Sequence, residues 1–216
     1  ESQMNAATRS TADILASELK ILINKGALRD GDRLVERDLA CQFSVSRIPM
    51  REAIQQLERE GLVEIFRNRG AVVKTLTAAD VDEIYQLRAL LEGEAIFHSL
   101  ENMDPETLAR AELVHQLLSS ASEPELQGRY NREFHELLYR KCNNQRLLKM
   151  IGELREQIER YELFQNRLLS DTLKFQDEHQ QILMACQQNN PQEARAYTVK
   201  HILSAGEILR AYIVSR

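Results

Sequence analysis

The stretch Ser44-Val45-Ser46-Arg47-Ile48-Pro49-Met50-Arg51-Glu52-Ala53-Ile54 decides the fold. Ser44-Val45-Ser46 reads as a tight turn whose last serine can cap a following helix. That helix starts at Arg47 and runs to about Glu60, where Gly61 stops it. Pro49 lies in its first turn, where a missing N–H costs little. Before the turn a short helix covers Glu36 to Phe43, with Leu39 and Ala40 inside. Further upstream, Ile14, Leu15, Leu19, Leu22 and Ile23 recur at helical spacing across Thr8 to Asn24. Downstream, Leu62 to Ile65 and Ala71 to Lys74 are β-prone runs flanking the basic tip Phe66-Arg67-Asn68-Arg69-Gly70. Three helices and a hairpin make a winged helix-turn-helix.

From Thr75 to Ala79 the chain reads as a linker, and Thr77 with Asp80 forms a capping box that opens a new helix. Nothing beyond it indicates strands. Six helices are expected, at about 78–100, 105–120, 124–143, 145–168, 172–188 and 191–213. Their starts are marked by Asp104-Pro105, Ser122 with Glu125, Asn144, Asp171, and Asn190-Pro191 with Glu193. The expected fold is therefore mainly α: a winged helix-turn-helix over 1–76 and an all-helical six-helix bundle over 77–216.

No run approaches the roughly 18–20 apolar residues of a membrane span, and the first ten residues lack the pattern of a signal peptide, so a cytoplasmic location is expected. Cys41, Cys142 and Cys186 are widely spaced, form no CxxC pattern and read as small core residues. The net charge of −5 argues against nucleic acid as a partner only while it is taken as one number. Up to Leu76 the net is +1, and the remainder carries −6. Phosphate attraction is local and screened within about 10 Å, so the placement of basic residues outweighs the total.

A helix-turn-helix puts its second helix in the major groove with its N-terminal residues nearest the base edges. Here that end is Ser46-Arg47, and Arg51, four residues on, shares a face with Arg47. Arginine suits both guanine readout and phosphate clamping. Arg37 on the preceding helix reaches for the same groove edge, and Arg67, Arg69 and Lys74 decorate the wing.

The helical part carries a polar set on inward faces. Arg88 falls on the stripe of Val81, Ile84, Leu91 and Ala95. A buried arginine needs a partner, either an internal carboxylate such as Glu92 or a carboxylate from a ligand. His135 lies with Asn131, Leu138 and Cys142; His179 with Phe175, Ile182 and Cys186; His201 with Ala194, Tyr197 and Ala205. One inward histidine is ordinarily a hydrogen-bonded core residue. Three from three helices, with an amide oxygen one turn before the first, point toward a divalent metal such as zinc, nickel or manganese. His98 and His115 are expected on the surface.

The run from Gly26 to Val73, through Asp30-Gly31-Asp32-Arg33-Leu34-Val35-Glu36-Arg37-Asp38-Leu39-Ala40, Val45 to Ile54, Glu60-Gly61-Leu62-Val63 and Asn68 to Val73, resembles the winged-helix domain of the GntR family of regulators. Asp30 departs from the proline usual there, which affects the turn alone. The resemblance implies that Arg37, Arg47 and Arg51 contact DNA and that Gly70 sits at the wing tip near the minor groove. The order Phe134-His135, His179, His201 resembles the FCD ligand-binding domain of the FadR subfamily, and six helices resemble its VanR-type branch. That resemblance implies a metal held by an aspartate and three histidines, with a small carboxylate effector beside it and Arg88 facing the cavity. Asn131 stands where the aspartate is expected and offers a neutral oxygen. Asn143 replaces a common glycine at a helix end, where asparagine tolerates the left-handed conformation.

The function expected is that of a metabolite-responsive transcription regulator, a repressor that binds a palindromic double-stranded DNA operator as a homodimer. The competing readings are a metal-dependent enzyme, which lacks any HExxH-type motif, and a ligand-free helical dimerisation scaffold.

Overall fold

The computed structural model describes residues 9–169 and 173–216, and the side chains of 9–162 and 174–216. The chain gathers into two compact units, one ending at Thr75 and the other beginning at Leu76.

The first unit has the order α1 (Thr11–Asn24), β1 (Arg33–Leu34), α2 (Glu36–Gln42), α3 (Arg47–Arg59), β2 (Val63–Phe66), β3 (Gly70–Val73). A capping box between Ser10 and Asp13 starts α1. The α2–α3 turn is closed by the backbone, with Ser44 N–H donating to Cys41 O at 3.1 Å and Val45 N–H to Ala40 O at 3.0 Å. Ser44 sits in the left-handed region at φ 54°, a conformation that costs a non-glycine residue roughly 1–2 kcal/mol. Ser46 occupies the N-cap of α3 but makes no side-chain capping bond, contrary to the sequence expectation. Its hydroxyl stays exposed.

The sheet is larger than the expected hairpin. It has three antiparallel strands in the order β1-β3-β2, with Leu34 opposite Ala71 and Val63 opposite Val73. A two-residue strand is too short to carry an alternation pattern. The three-residue tip Arg67-Asn68-Arg69 closes onto Gly70 at φ 71°, the left-handed position that such a hairpin loop requires. Leu19, Ile23, Met50, Ala53, Leu57, Val63 and Val73 form the core. Cys41 is exposed, not in the core as expected, because Leu39 and Ala40 take the inward face of α2.

The second unit runs α4 (Ala78–Leu100), α5 (Pro105–Ser120), α6 (Pro124–Tyr139), a 3-10 turn (Arg140–Cys142), α7 (Gln145–Leu169), α8 (Leu173–Gln187) and α9 (Pro191–Val214). The six expected α-helices are present to within a few residues among the described residues. The third ends as a helix at Tyr139, and its last turn tightens before Asn143 takes the left-handed conformation at φ 57°. Thr77 and Asp80 form the capping box of α4, and Asn190 caps α9. Ser122 does not cap α6: Glu123 is the N-cap, without a side-chain bond, and Pro124 opens the helix. Asp171 lies outside the described residues.

Antiparallel α4 and α9 form the spine of this unit, tied at opposite ends by Arg195–Glu94 at 2.7 Å and Arg210–Asp82 at 3.1 Å. Between those ties Gly206 lets the helices touch, since a Cβ there would lie 2.7 Å from Tyr85 Cγ. One apolar cluster joins Ala95, Ile96, Phe134, Leu138 and Ile182; a second joins Leu76, Ile84, Tyr85, Ile158 and Leu209. Among the described residues no helix is long and apolar enough to cross a membrane.

Candidate functional site

In the first unit the basic side chains gather at the N-terminus of α3 and on the β2–β3 tip. Arg47 and Arg51 share an outward face, with side chains 62% and 58% exposed. Both turn to Glu36 in the first turn of α2. Arg51 grips it with two bonds, Nε to Oε2 at 3.0 Å and Nη2 to Oε1 at 3.1 Å, while Arg47 Nε lies 3.4 Å from Oε1. The hydrogen bond from Arg51, together with the two guanidinium charges, holds the Glu36 carboxyl below its usual range. Arg37 points outward, with Nε 3.5 Å from Asp38 Oδ1. Ser46, Arg67, Arg69 and Gly70 are exposed, as are Ile65 and Phe66 beside the tip. Glu36 is the part of this arrangement that the sequence reading passed over. Its signal was a carboxylate in the first turn of the helix packed against α3.

The second unit brings His135 of α6, His179 of α8 and His201 of α9 together, each nearly fully buried. One nitrogen from each lies within 4.8 Å of the others. His179 Nε2 and His201 Nε2 are 3.1 Å apart. Burial, reinforced by the neighbouring imidazoles, pushes His135 and His179 well below the ordinary histidine value, so both rings are neutral near pH 7. Asn131, one turn before His135, lines the same cavity of about 70 Å³ together with Arg88 and Glu162.

The residues fit a metal ion. Two nitrogens each about 2.0–2.1 Å from a shared ion lie roughly 2.8–3.4 Å apart for bond angles from 90° to tetrahedral, and the observed 3.1 Å falls in that range. His135 Nδ1 faces the Tyr139 hydroxyl at 3.3 Å, which leaves Nε2 free. His201 Nδ1 faces Glu178 Oε2 at 3.7 Å, and the buried Glu178 carboxylate has no hydrogen-bond partner. A carboxylate behind a ligating imidazole is the usual outer support of such a centre.

Arg88 has the internal partner that its buried position demands. Its Nε donates to Glu92 Oε2 at 2.8 Å, and Arg155 Nη2 donates to Glu92 Oε1 at 2.8 Å. Burial drives the Glu92 carboxyl up, but the charges of Arg88 and then Arg155 outweigh it and hold the carboxyl below its usual range. Burial lowers the Arg88 value, and Glu92, Tyr85 and Glu162 together more than reverse that. Glu162, which has Arg132 Nη2 3.7 Å away, is pushed up by burial. Arg155 and Glu162 come from α7, whose long amphipathic pattern gave no sign of which charges turn inward.

Of the two remaining histidines, His98 is exposed and pairs with Glu94 at 3.1 Å. His115 corrects the expectation: it is buried at 8%, packed against Phe134 and 6.1 Å from the His179 ring centre. The signal was in the sequence, because Ala111, Val114, His115 and Leu118 form one helical stripe.

Residues 11–73 match the bacterial regulatory proteins of the gntR family, and residues 83–204 match the FCD domain. The chain is 30% identical to the uncharacterised HTH-type transcriptional regulator YdhC of Bacillus subtilis over 86% of this chain and 84% of that protein. It is also 30% identical to the Nta operon transcriptional regulator of Aminobacter aminovorans, over 81% of this chain and 82% of that protein. A GntR-family regulator from Pseudomonas syringae superposes with a TM-score of 0.60 at 32% identity, covering 95% of this chain and 86% of that one. McbR/YncC of E. coli shares the fold with a TM-score of 0.76 at 24% identity, over 94% of this chain and 98% of that one. With the FCD match alone spanning more than half of its length, the chain belongs to the GntR family of bacterial regulatory proteins, a winged-helix transcription regulator with an FCD domain and not an enzyme.

Proposed function

We propose that this regulator is a metabolite-responsive repressor of the VanR-type branch, acting in the cytoplasm as a homodimer on a palindromic operator. Residues 1–76 form its DNA-binding part and residues 77–216 its effector part. Arg47, Arg51 and Ser46 face the major groove, Arg37 reaches its edge, and Arg69 and Gly70 bring the wing to the minor groove. His135, His179 and His201 hold a divalent metal, zinc, nickel or manganese, with the Asn131 amide oxygen as a neutral fourth donor. When bound, the ion supplies a Lewis-acidic anchor for a carboxylate oxygen. Arg88, its Nε held by Glu92, turns its cationic charge to the cavity and orients a small carboxylate effector.

The observation that carries this reading is the convergence of three buried imidazoles and one buried guanidinium on a single cavity of about 70 Å³. A ligand there acts on DNA by binding one arrangement of the two heads more tightly than the other, which is a difference in affinity. Gel shifts with duplexes selected from a random library test the reading. Arg47→Ala and Arg51→Ala are each expected to lose about 1–3 kcal/mol of base discrimination. Unchanged sequence preference in both variants refutes it.

A further inference from the structure

We propose that Glu36 is a specificity-determining residue: it holds Arg47 and Arg51 as an ordered pair of reduced charge, so that base reading outweighs sequence-independent phosphate binding. The inference rests on the assignment of these arginines to DNA.

Three observations carry it. The Glu36 side chain is 22% exposed while the arginines it holds are 62% and 58% exposed, so the carboxylate forms the floor of the patch and the guanidiniums its outer surface. The contact to Arg51 is bidentate and uses the Nε–Nη2 edge, so the Nη1 side of the fork is left to point outward. Glu36 lies in the first turn of α2, so one carboxylate fixes two side chains of α3 from a different helix.

The consequences separate affinity from specificity. Phosphate binding sums the charges present and ignores their direction, and its strength shows as salt dependence. Three residues that would otherwise present two positive charges present one net charge. Base reading depends on donor direction, and a guanidinium already held in place loses less rotamer freedom on reaching a base edge. Glu36 therefore subtracts from the first contribution and adds to the second. Exposed ion pairs contribute little to folding, so the arrangement is poorly explained as a device for stability.

The test uses the full chain and two labelled 30-base-pair duplexes, one of random sequence and one selected from a random library, with anisotropy read from 50 to 200 mM salt. Glu36→Gln is expected to tighten binding of the random duplex by roughly three- to tenfold and to steepen its salt slope by about one. The selected duplex gains less, so the ratio of the two affinities falls. Glu36→Asp keeps the charge but shortens the reach. It is expected to weaken the selected duplex without tightening the random one, which separates ordering from charge. Melting temperatures near that of wild type establish that both variants fold. Affinities of Glu36→Gln unchanged for both duplexes overturn the proposal. So does loss of the selected duplex alone in Glu36→Gln, which would make Glu36 itself a base contact. A wild-type protein that binds neither duplex overturns the assignment of the arginines, and this proposal with it.

Discussion

Replacing Glu92 by glutamine removes one charge from the interior and strips Arg88 and Arg155 of the carboxylate that both bond. Glu92 is fully buried and lies 2.8 Å from both Arg88 and Arg155, themselves 5% and 7% exposed. Breaking a buried pair by removing one partner costs about 3–5 kcal/mol, because the stranded charge keeps its desolvation penalty. For a chain of this length each kcal/mol shifts the melting temperature by roughly 2–4 °C, so Glu92→Gln is expected to melt about 6–20 °C below wild type at pH 7. Replacing all three charges together, Arg88→Met with Glu92→Leu and Arg155→Met, leaves no stranded guanidinium, though it takes the acceptor from Tyr139 and two cations from Glu162, and is expected to recover part of that loss. The pH dependence has a definite sign. The folded-state value of Glu92 lies below its ordinary one, so its contribution is fully present above the ordinary carboxylate range and is lost as the pH falls through the lowered value. The gap between wild type and Glu92→Gln therefore narrows in acid. Thermal melting followed by circular dichroism reads all three proteins. A Glu92→Gln variant within about 1 °C of wild type at pH 7 refutes the reasoning.

Zinc, nickel or manganese added to metal-stripped protein is expected to raise the melting temperature, by an amount equivalent to about 2.7 kcal/mol at a hundredfold excess over Kd, and His179→Ala to abolish the rise. A wild type that gains nothing after loading makes the three imidazoles core residues. In metal-free protein, buried His135 and His179 resist protons that the unfolded chain accepts near pH 6.5. Stability should fall as the pH drops through that value toward the lower folded-state one, and denaturant titrations from pH 7.5 to 5.5 that give a flat line contradict this. Gly206→Ala forces a methyl to 2.7 Å from Tyr85 Cγ and is expected to cost about 1–3 kcal/mol in chemical denaturation; a loss under about 0.5 kcal/mol would mean that α4 and α9 part freely.

Most of the architecture was legible because it rests on local signals. The Thr77–Asp80 box, Asn190 before Pro191 and the left-handed Asn143 each act within four residues, and each element boundary falls where they put it. The three clustered histidines, His135, His179 and His201, were legible from the 3.6-residue period alone. Strand β1 was not, because two residues gain strand character only from the pairing with Val72 and Ala71. Ser46 and Ser122 show the limit of cap signals: a suitable residue type does not oblige the side chain to turn back on the helix. His115 was misread because a polar residue inside an apolar stripe was assigned by its type and not by its position. Glu36, Arg155 and Glu162 were missed for a different reason. Their roles depend on which helices pack together, and periodicity along one helix carries no information about that.

The Tyr139 hydroxyl stands between His135 and Glu92, and it has one hydrogen to give. Glu92 stays ionised and can only accept, so that hydrogen goes to the carboxylate and the phenolic oxygen turns its lone pairs to the ring. His135 must then carry its own hydrogen on Nδ1. The tautomer with an open electron pair on Nε2 is thus chosen by a carboxylate on another helix, before any ion arrives.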